Sequence, residues 1–256
     1  MKNNVLEIAK TINSLHSQKF KNFEHIIIDA NSHDGTSQII KKKINTKIKY
    51  YRGPDAGIYD AINKGINYSR GQYVGILHAG DFFSSVNILS EINRCIKKYD
   101  IFFANIIFFD KKKNILRYWK KSLINLNLYN AYKIPHTAMF IKRKVFQEVG
   151  SYNVDYSISS DTDFILRVCK KKYKVFYLDK TILYMKSGGV STSYKSFIQK
   201  VREDLSIYFK YFGVLFFLIY LLKVLSKVFD LAIFQNTHLL KNDNKILKRE
   251  YKKLNN

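Results

Sequence analysis

Apolar positions along the chain change period near Ser69. Before it, Ile58, Ala61, Ile62 and Ile66 recur at helical spacing and predict a helix over Ile58 to Tyr68 with one buried side. After the Ser69-Arg70-Gly71 turn, Tyr73-Val74-Gly75-Ile76-Leu77 is apolar throughout, the pattern of a strand inside a parallel sheet. That strand carries His78-Ala79-Gly80-Asp81 to its carboxyl end, the edge where open α/β sheets bind ligands. Asp81 there reads in two ways. A carboxylate behind glycine suits a hard cation such as Mn2+ or Mg2+, and Gly-Asp after a strand is also an ordinary turn.

The same alternation continues on both sides. Val5, Ile8, Ile12 and Leu15 predict a first helix, capped by Asn3 or Asn4, and Phe23 to Asp29 a buried strand ending in a carboxylate. A polar loop from Ala30 to Thr36 leads into a helix through Ile39 and Ile40, then a short strand over Ile48 to Tyr51 and a turn from Gly53 to Gly57 that contains Asp55. Beyond Asp81, Ser84 or Ser85 caps a helix running to Lys98, and Asp100 to Phe109 forms a β-prone run that turns at Lys111-Lys112-Lys113-Asn114 into Ile115 to Trp119. Pro135 to Ile141 reads as a strand, followed by a helix that stops at Gly150. Ser159 or Ser160 then opens a helix with Asp161 and Asp163 in its first turn, where the helix dipole favours carboxylates whatever else they do. Together these elements predict an α/β fold with a Rossmann-like, mixed but mostly parallel sheet flanked by helices. Doubly wound domains usually open on a strand, whereas a helix comes first here, so one strand is expected to be missing.

Toward the end the pattern loosens. Lys186 to Ser193 is a hydroxyl-rich, glycine-containing loop beside a cation, suited to close over phosphates and equally an ordinary connection. Tyr211 to Leu222 is apolar for 12 residues, short of the ~20 needed to span a bilayer. Flanked by Lys210, Lys223 and Lys227, it reads as an interfacial helix on an anionic leaflet, with a core or dimer helix as alternatives. The organisation expected is therefore a domain over 1–193, a helical extension over 194–235 and a basic tail over 236–256.

A formal net charge of +24 points to a polyanionic partner: nucleic acid, an anionic membrane or phosphorylated substrates. The lysines are scattered and no nucleic-acid motif appears, which sets nucleic acid aside. The two cysteines, Cys95 and Cys169, sit among apolar helix neighbours with no metal or disulfide spacing, as in a reducing compartment. Glu7 interrupts the start of the chain, which does not read as a signal peptide.

Four segments stand in a fixed order: IIIDANSHDGT, GPDAGIYDAINKGI with the strand to HAGDFF, PHTAMFIKRKVFQEVGSYN, and SSDTDFILR. Together they resemble the family 2 inverting glycosyltransferases of bacterial surface-polysaccharide assembly, over roughly residues 5 to 193. The resemblance implies the GT-A fold with a C-terminal helical extension. It also implies transfer of a sugar from a nucleoside-diphosphate donor, UDP-linked by family tendency, to a lipid-linked or growing glycan acceptor. By the same resemblance Asp29 contacts the nucleotide base, Asp55 lines the nucleotide-sugar pocket, Asp81 binds Mn2+ or Mg2+ bridging the diphosphate, and Asp161 is the catalytic base. Asp163 matches a supporting position, Asn63, Lys64 and Gly65 match a recurrent helix segment, and His136 stands where similar enzymes carry a histidine near the acceptor. Two departures accompany the match: the family's opening strand is absent, and His78 occupies a place where Asn or Asp is commoner. The expected setting is the cytoplasm, peripheral to the inner face of the plasma membrane, with a polyprenyl-phosphate-linked acceptor. The competing reading is a catalytically inactive nucleotide-sugar or glycan binding remnant.

Overall fold

The computed structural model describes residues 1–110, 112–119, 127–188, 194–235 and 240–254. Strands β1 (His25–Asp29) and β2 (Ile48–Arg52) pair in parallel, His25 opposite Ile48 and Asp29 opposite Arg52. Helix α1 (Ile8–His16) and helix α2 (Thr36–Lys43) cover one face of this pair, where Ile8, Ile12, Ile27, Ile40 and Ile48 form a small core. Helix α3 (Ile58–Tyr68) lies on the other: a Cβ on its Gly65 would stand 3.7 Å from Ile28 Cγ1.

The larger sheet contains β3 (Tyr73–Gly75), β4 (Phe82–Phe83), β5 (Ile101–Phe109), β6 (Ile115–Trp119), β7 (Met139–Lys142) and β8 (Val175–Lys186). Its order is β3-β7-β5-β8-β4, with β6 on β5. Among the described strands only β5 and β8 run parallel in it; β3 with β7, β5 with β7, β4 with β8 and β5 with β6 are antiparallel. The α/β class therefore holds and the sheet is mixed, but parallel pairing is the minority. A continuous apolar run reports burial on both faces, which a central strand has whatever the direction of its neighbours. Central β5 is buried along nearly its whole length, between a core that includes Ile101, Phe103, Phe164 and Val168 and one that includes Phe102, Ile106, Ile88 and Ile92. Each such side chain contributes about 1.5–3 kcal/mol by leaving water.

Two expected strands are shorter than their apolar runs. β3 stops at Gly75, where a Cβ would fall 2.6 Å from Phe140 Cε1, so the β7 ring occupies the space a side chain would take. Pro135 is followed by a 3-10 turn at His136–Ala138, and β7 begins only at Met139. Proline lacks the N–H a ladder needs, and the turn sets His136 off the sheet.

Helices α4 (Ile88–Ile96), α5 (Arg143–Val149) and α6 (Ser160–Cys169) complete the layers. Next, α7 (Tyr194–Phe212) folds back through a 3-10 turn onto α8 (Phe216–Gln235), with Asp204 and Lys223 joined at 2.9 Å across the hairpin. The expected basic tail is instead largely helical: α9 (Leu240–Lys253) docks on the sheet, burying Leu247 against the Phe82, Ile107 and Phe109 cluster. Asn244 accepts the Ile115 N–H at 3.0 Å, and the Tyr118 hydroxyl donates to Asp243. Counting lysines hid an apolar stripe one side chain wide.

Candidate active site

The cavity that holds the candidate chemistry is bounded by α1, β1, α3, the β3–β4 loop, the turn at His136 and the start of α6. Asp161 reaches it from the first turn of α6, its side chain 24% exposed. His136 Nδ1 lies 3.0 Å from Asp161 Oδ2. On Oδ1 the carboxylate accepts the Thr162 N–H at 2.9 Å and the Tyr59 hydroxyl at 3.2 Å. Burial alone would raise the Asp161 pKa, but the His136 charge and hydrogen bond, with Lys200 and the Thr162 N–H, hold it well below the usual carboxylate range. Behind His136 stands His78, ring nitrogen to ring nitrogen at 3.4 Å. Burial, then the neighbouring His136, depresses His78 to about 3, so it stays neutral.

The start of α6 is fixed by a different residue from the one expected. Neither Ser159 nor Ser160 caps it with a side chain. Glu203 on α7 accepts the N–H groups of Ser157 at 3.0 Å, Ile158 at 2.9 Å and Ser159 at 2.8 Å, tying the approach to the helix onto the C-terminal hairpin. Asp163, 1% exposed, is held by Arg167 at 2.8 Å, Lys210 at 3.2 Å and the Tyr211 hydroxyl at 3.0 Å. It clamps α6 to α7 and has no free face toward the cavity.

Asp81 lies on the same cavity in the opposite condition. It is 3% exposed; Oδ1 accepts the Lys186 N–H at 3.0 Å, while buried Oδ2 has no hydrogen-bond partner. Burial pushes its pKa up to about 8, and the single Lys186 bond does not offset that. The loop before it is fixed by Thr11, whose Oγ1 accepts the Gly80 N–H at 2.9 Å and donates to the Asp81 carbonyl at 2.9 Å. Gly80 has φ of 105°, a left-handed conformation that favours glycine.

Asp29 is fully buried at the end of β1 and accepts from Ser32 Oγ, Ser37 Oγ at 2.8 Å and the Tyr50 hydroxyl at 2.7 Å. Burial would raise its pKa, but these hydroxyls outweigh burial and lower it. Asp55 sits apart in the turn before α3, half-buried, accepting the Gly57 N–H at 3.2 Å. The structure thus brings Asp81 and Asp161 to one cavity, while Asp29 and Asp55 do not line it and are linked to it through Met1, a lining residue whose ammonium both carboxylates influence.

A family model described as Glycosyl transferase family 2 matches residues 1–150 of the 256, more than half of the chain. The chain belongs to glycosyl transferase family 2. It is 25% identical over 200 residues to a PGL/p-HBAD biosynthesis glycosyltransferase of Mycobacterium bovis, covering 74% of this chain and 77% of that protein. It is 24% identical over 168 residues to an uncharacterized glycosyltransferase of Mycobacterium tuberculosis, covering 62% of this chain and 63% of that one. Among solved structures, S. aureus TarS 1-349 in complex with UDP-GlcNAc superposes with a TM-score of 0.64 at 15% identity, covering 82% of this chain and 65% of that one. The mannosyltransferase PcManGT from Pyrobaculum calidifontis, in complex with GDP-Man and Mn2+, gives 0.59 at 14% identity, covering 82% and 61%. These likenesses identify the fold as GT-A. The chain spans about 63% of the first curated relatives and 39% of the longer TarS chain.

For a family 2 chain, the donor set at Asp81 can be tested on its own chemistry. Among the described residues no three His, Cys, Asp or Glu side chains gather as a metal cage. One orphaned, buried carboxylate oxygen nevertheless fits Mn2+ or Mg2+, which are commonly held by one or two carboxylates plus substrate phosphates. Sequence reasoning missed Tyr59 and Glu203 and read His78 only as a departure. Nothing in local pattern announces them, because their roles arise from contacts 44 or more positions away in the chain. Asn63 makes reciprocal bonds with the Tyr152 backbone at 2.8 and 3.0 Å, and Lys64 pairs with Asp60 at 2.8 Å. Both support α3 and do not enter the cavity lining. The loop from Gly189 to Ser193 lies outside the described residues.

Proposed function

We propose that this family 2 chain is an inverting glycosyltransferase that moves a sugar from a UDP-sugar to a hydroxyl of a lipid-linked or growing cell-surface glycan. The observation that carries this reading is the ionised, half-buried Asp161 sharing one cavity with the orphaned Asp81 carboxylate. Asp161 takes the proton from the acceptor hydroxyl as that oxygen attacks the anomeric carbon. The bond from that carbon to the diphosphate breaks on the opposite face, its electron pair leaves with the nucleotide, and the anomeric configuration inverts. His136 orients the base and keeps it ionised; His78 holds the His136 ring from behind. Asp81 would hold Mn2+ or Mg2+, which supplies Lewis-acid stabilisation of charge on the departing diphosphate. Asp29 organises the end of β1 beside the nucleotide, and Asp55 stands in the turn before α3. Support for a nucleotide-sugar donor comes from the UDP-GlcNAc and GDP-Man bound by the two structural neighbours.

The acceptor side is formed with the α7–α8 hairpin, from which Phe197, Lys200 and Lys223 line the cavity. Its outer face exposes Phe209, Leu218, Leu221 and Leu222, with Phe217 at 64% and Val214 at 91% exposure. By length and composition Ser196–Ser226 could cross a membrane. The turn at Gly213–Leu215 instead divides it into two packed helices, so the hairpin dips its tip into an anionic cytoplasmic leaflet and presents the cavity to a polyprenyl-phosphate-linked acceptor.

The test is UDP release from a panel of UDP-sugars with membrane-extracted acceptor, in the wild type and in Asp161→Asn. Turnover lost in the variant while UDP-sugar binding persists supports the reading. Donor binding without turnover in the wild type would favour the inactive binding module.

A further inference from the structure

The α7–α8 hairpin sets two lysines, Lys200 and Lys223, on the wall of the cavity. Phe197, Lys200 and Asp204 recur three and four residues apart, so α7 carries them in one stripe. Lys223 meets that stripe from α8. Asp204 and Lys223 are buried, 2% and 3% exposed, and their charges stand 2.9 Å apart. The Lys200 ammonium lies 3.7 Å from the same Asp204 oxygen and donates to Ser159 Oγ at 3.3 Å. Two cations thus share one carboxylate.

This cluster lacks a partner. A lysine ammonium has three N–H donors. Among the described residues Lys223 Nζ makes no aligned hydrogen bond; it lies over the rings of Tyr208, 4.8 Å from the centroid, and Tyr220, at 5.6 Å. Burial, the largest influence, lowers its pKa, and Asp204 opposes that. Apolar side chains of the same volume would pin the hairpin at least as well, without the cost of burying an ammonium. An anion in the cavity supplies what is missing: acceptors for the Lys223 donors and charge to balance the second lysine.

Electrostatics place that anion on one side of the reaction. Lys200 is among the charges that lower the Asp161 pKa, and Asp161 is among those that raise the Lys223 pKa. Asp81 responds instead to burial and to the Lys186 N–H. In an inverting displacement the base and the departing group stand on opposite faces of the anomeric carbon, so an anion beside Asp161 belongs to the acceptor. We propose that Lys200 and Lys223 form a subsite for a phosphoryl group on the acceptor sugar itself, so that the attacking hydroxyl belongs to a sugar attached directly to phosphate. This rests on the transferase reading and divides the acceptors that reading leaves open: a sugar next to its lipid phosphate is favoured over the far end of a long glycan. Lysine binds phosphoryl oxygens as a point charge. Phe197, 61% exposed and one turn before Lys200, gives the attached lipid an apolar lead-in.

The test has a binding arm and a turnover arm. Without nucleotide or metal, a panel of hexose 1-phosphates is compared with the methyl glycosides of the same hexoses, inorganic phosphate and short-chain phosphatidylglycerol. The proteins are the wild type, Lys200→Gln, which removes a partly exposed charge, and Lys223→Met combined with Asp204→Leu, which removes the buried charges together so that neither is stranded. A hexose 1-phosphate is expected to raise the thermal midpoint of the wild type by about 2 °C or more and that of neither variant. With a UDP-sugar present, Lys200→Gln is expected to raise KM for the hexose 1-phosphate about 10- to 100-fold, the worth of one charge-assisted hydrogen bond, and to leave KM for the methyl glycoside unchanged. No protection by any hexose 1-phosphate, equal protection by the methyl glycosides, by inorganic phosphate or by the phospholipid, or protection that survives in both variants would overturn the proposal. Protection that both variants lose, with no turnover in the wild type, would count against the transferase reading and not against the subsite.

Discussion

Two carboxylates face one cavity under opposite conditions. Asp161 is surrounded by partners (His136, Tyr59 and the Thr162 N–H) and is held ionised far below its ordinary range. Asp81 has one backbone partner, one bare buried oxygen and a pKa near 8. The difference lies in who completes each site. Protein groups satisfy Asp161, which in the proposed transfer is thereby already placed and ionised to act as the base. At Asp81 the fold leaves one buried carboxylate oxygen without a partner, so ionising the group in the ligand-free protein is costly, and the proposed cation would offset that cost.

Removing the preorganised carboxylate breaks the comparison most severely. Asp161→Asn is expected to lower kcat by about 10²–10⁴, the usual worth of a general base, with UDP-sugar Kd unchanged in a calorimetric titration. Loss of its partner comes next. His136→Gln removes the leading influence that lowers the Asp161 pKa, so the acid limb of the rate profile moves to higher pH, with kcat lowered roughly tenfold or more at pH 7. An acid limb left in place would separate His136 from the base.

Asp81→Asn sharpens the comparison in the other direction. A carboxyl whose pKa rises on folding from 3.8 to about 8 contributes stability that is complete below 3.8 and lost as pH climbs through 8. Replacing it with a neutral amide is therefore expected to stabilise the metal-free protein, on the order of 1–3 kcal/mol for an unpaired buried group, with the thermal gap over wild type widening from pH 5 to pH 8. His25 supplies the smallest effect and the opposite slope. Burial, then His16, lowers it from 6.5 to about 3, so it folds neutral and its stabilisation is lost as pH falls from 6.5 toward 3. His25→Gln should flatten the acid side of the melting profile by about 1 kcal/mol and leave the alkaline side unmoved.

Much of this site was legible in sequence because its carboxylates sit at element ends: Asp29 as the last residue of β1, Asp81 directly before β4, Asp161 in the first turn of α6. The helices over Ile58–Tyr68 and Ser160–Cys169 followed from spacing alone. Strand direction did not, since Ile101 to Phe109 is buried on both faces beside one parallel and two antiparallel neighbours. Tertiary capping was equally invisible: Glu203 holds the approach to α6 from 44 residues away, where local rules pointed to Ser159 or Ser160. α9 was obscured by its charge, with Leu247 buried inside a lysine-rich segment.

The most direct measurement is the thermal midpoint of the chain with UDP, with and without Mn2+, for wild type and Asp81→Asn at pH 7.5. The account predicts a rise in wild type that requires both UDP and Mn2+, and a variant that starts higher yet gains nothing from the pair. An equal Mn2+-dependent rise in Asp81→Asn would contradict it, because the cation would then be held without the carboxylate that the fold leaves uncompensated.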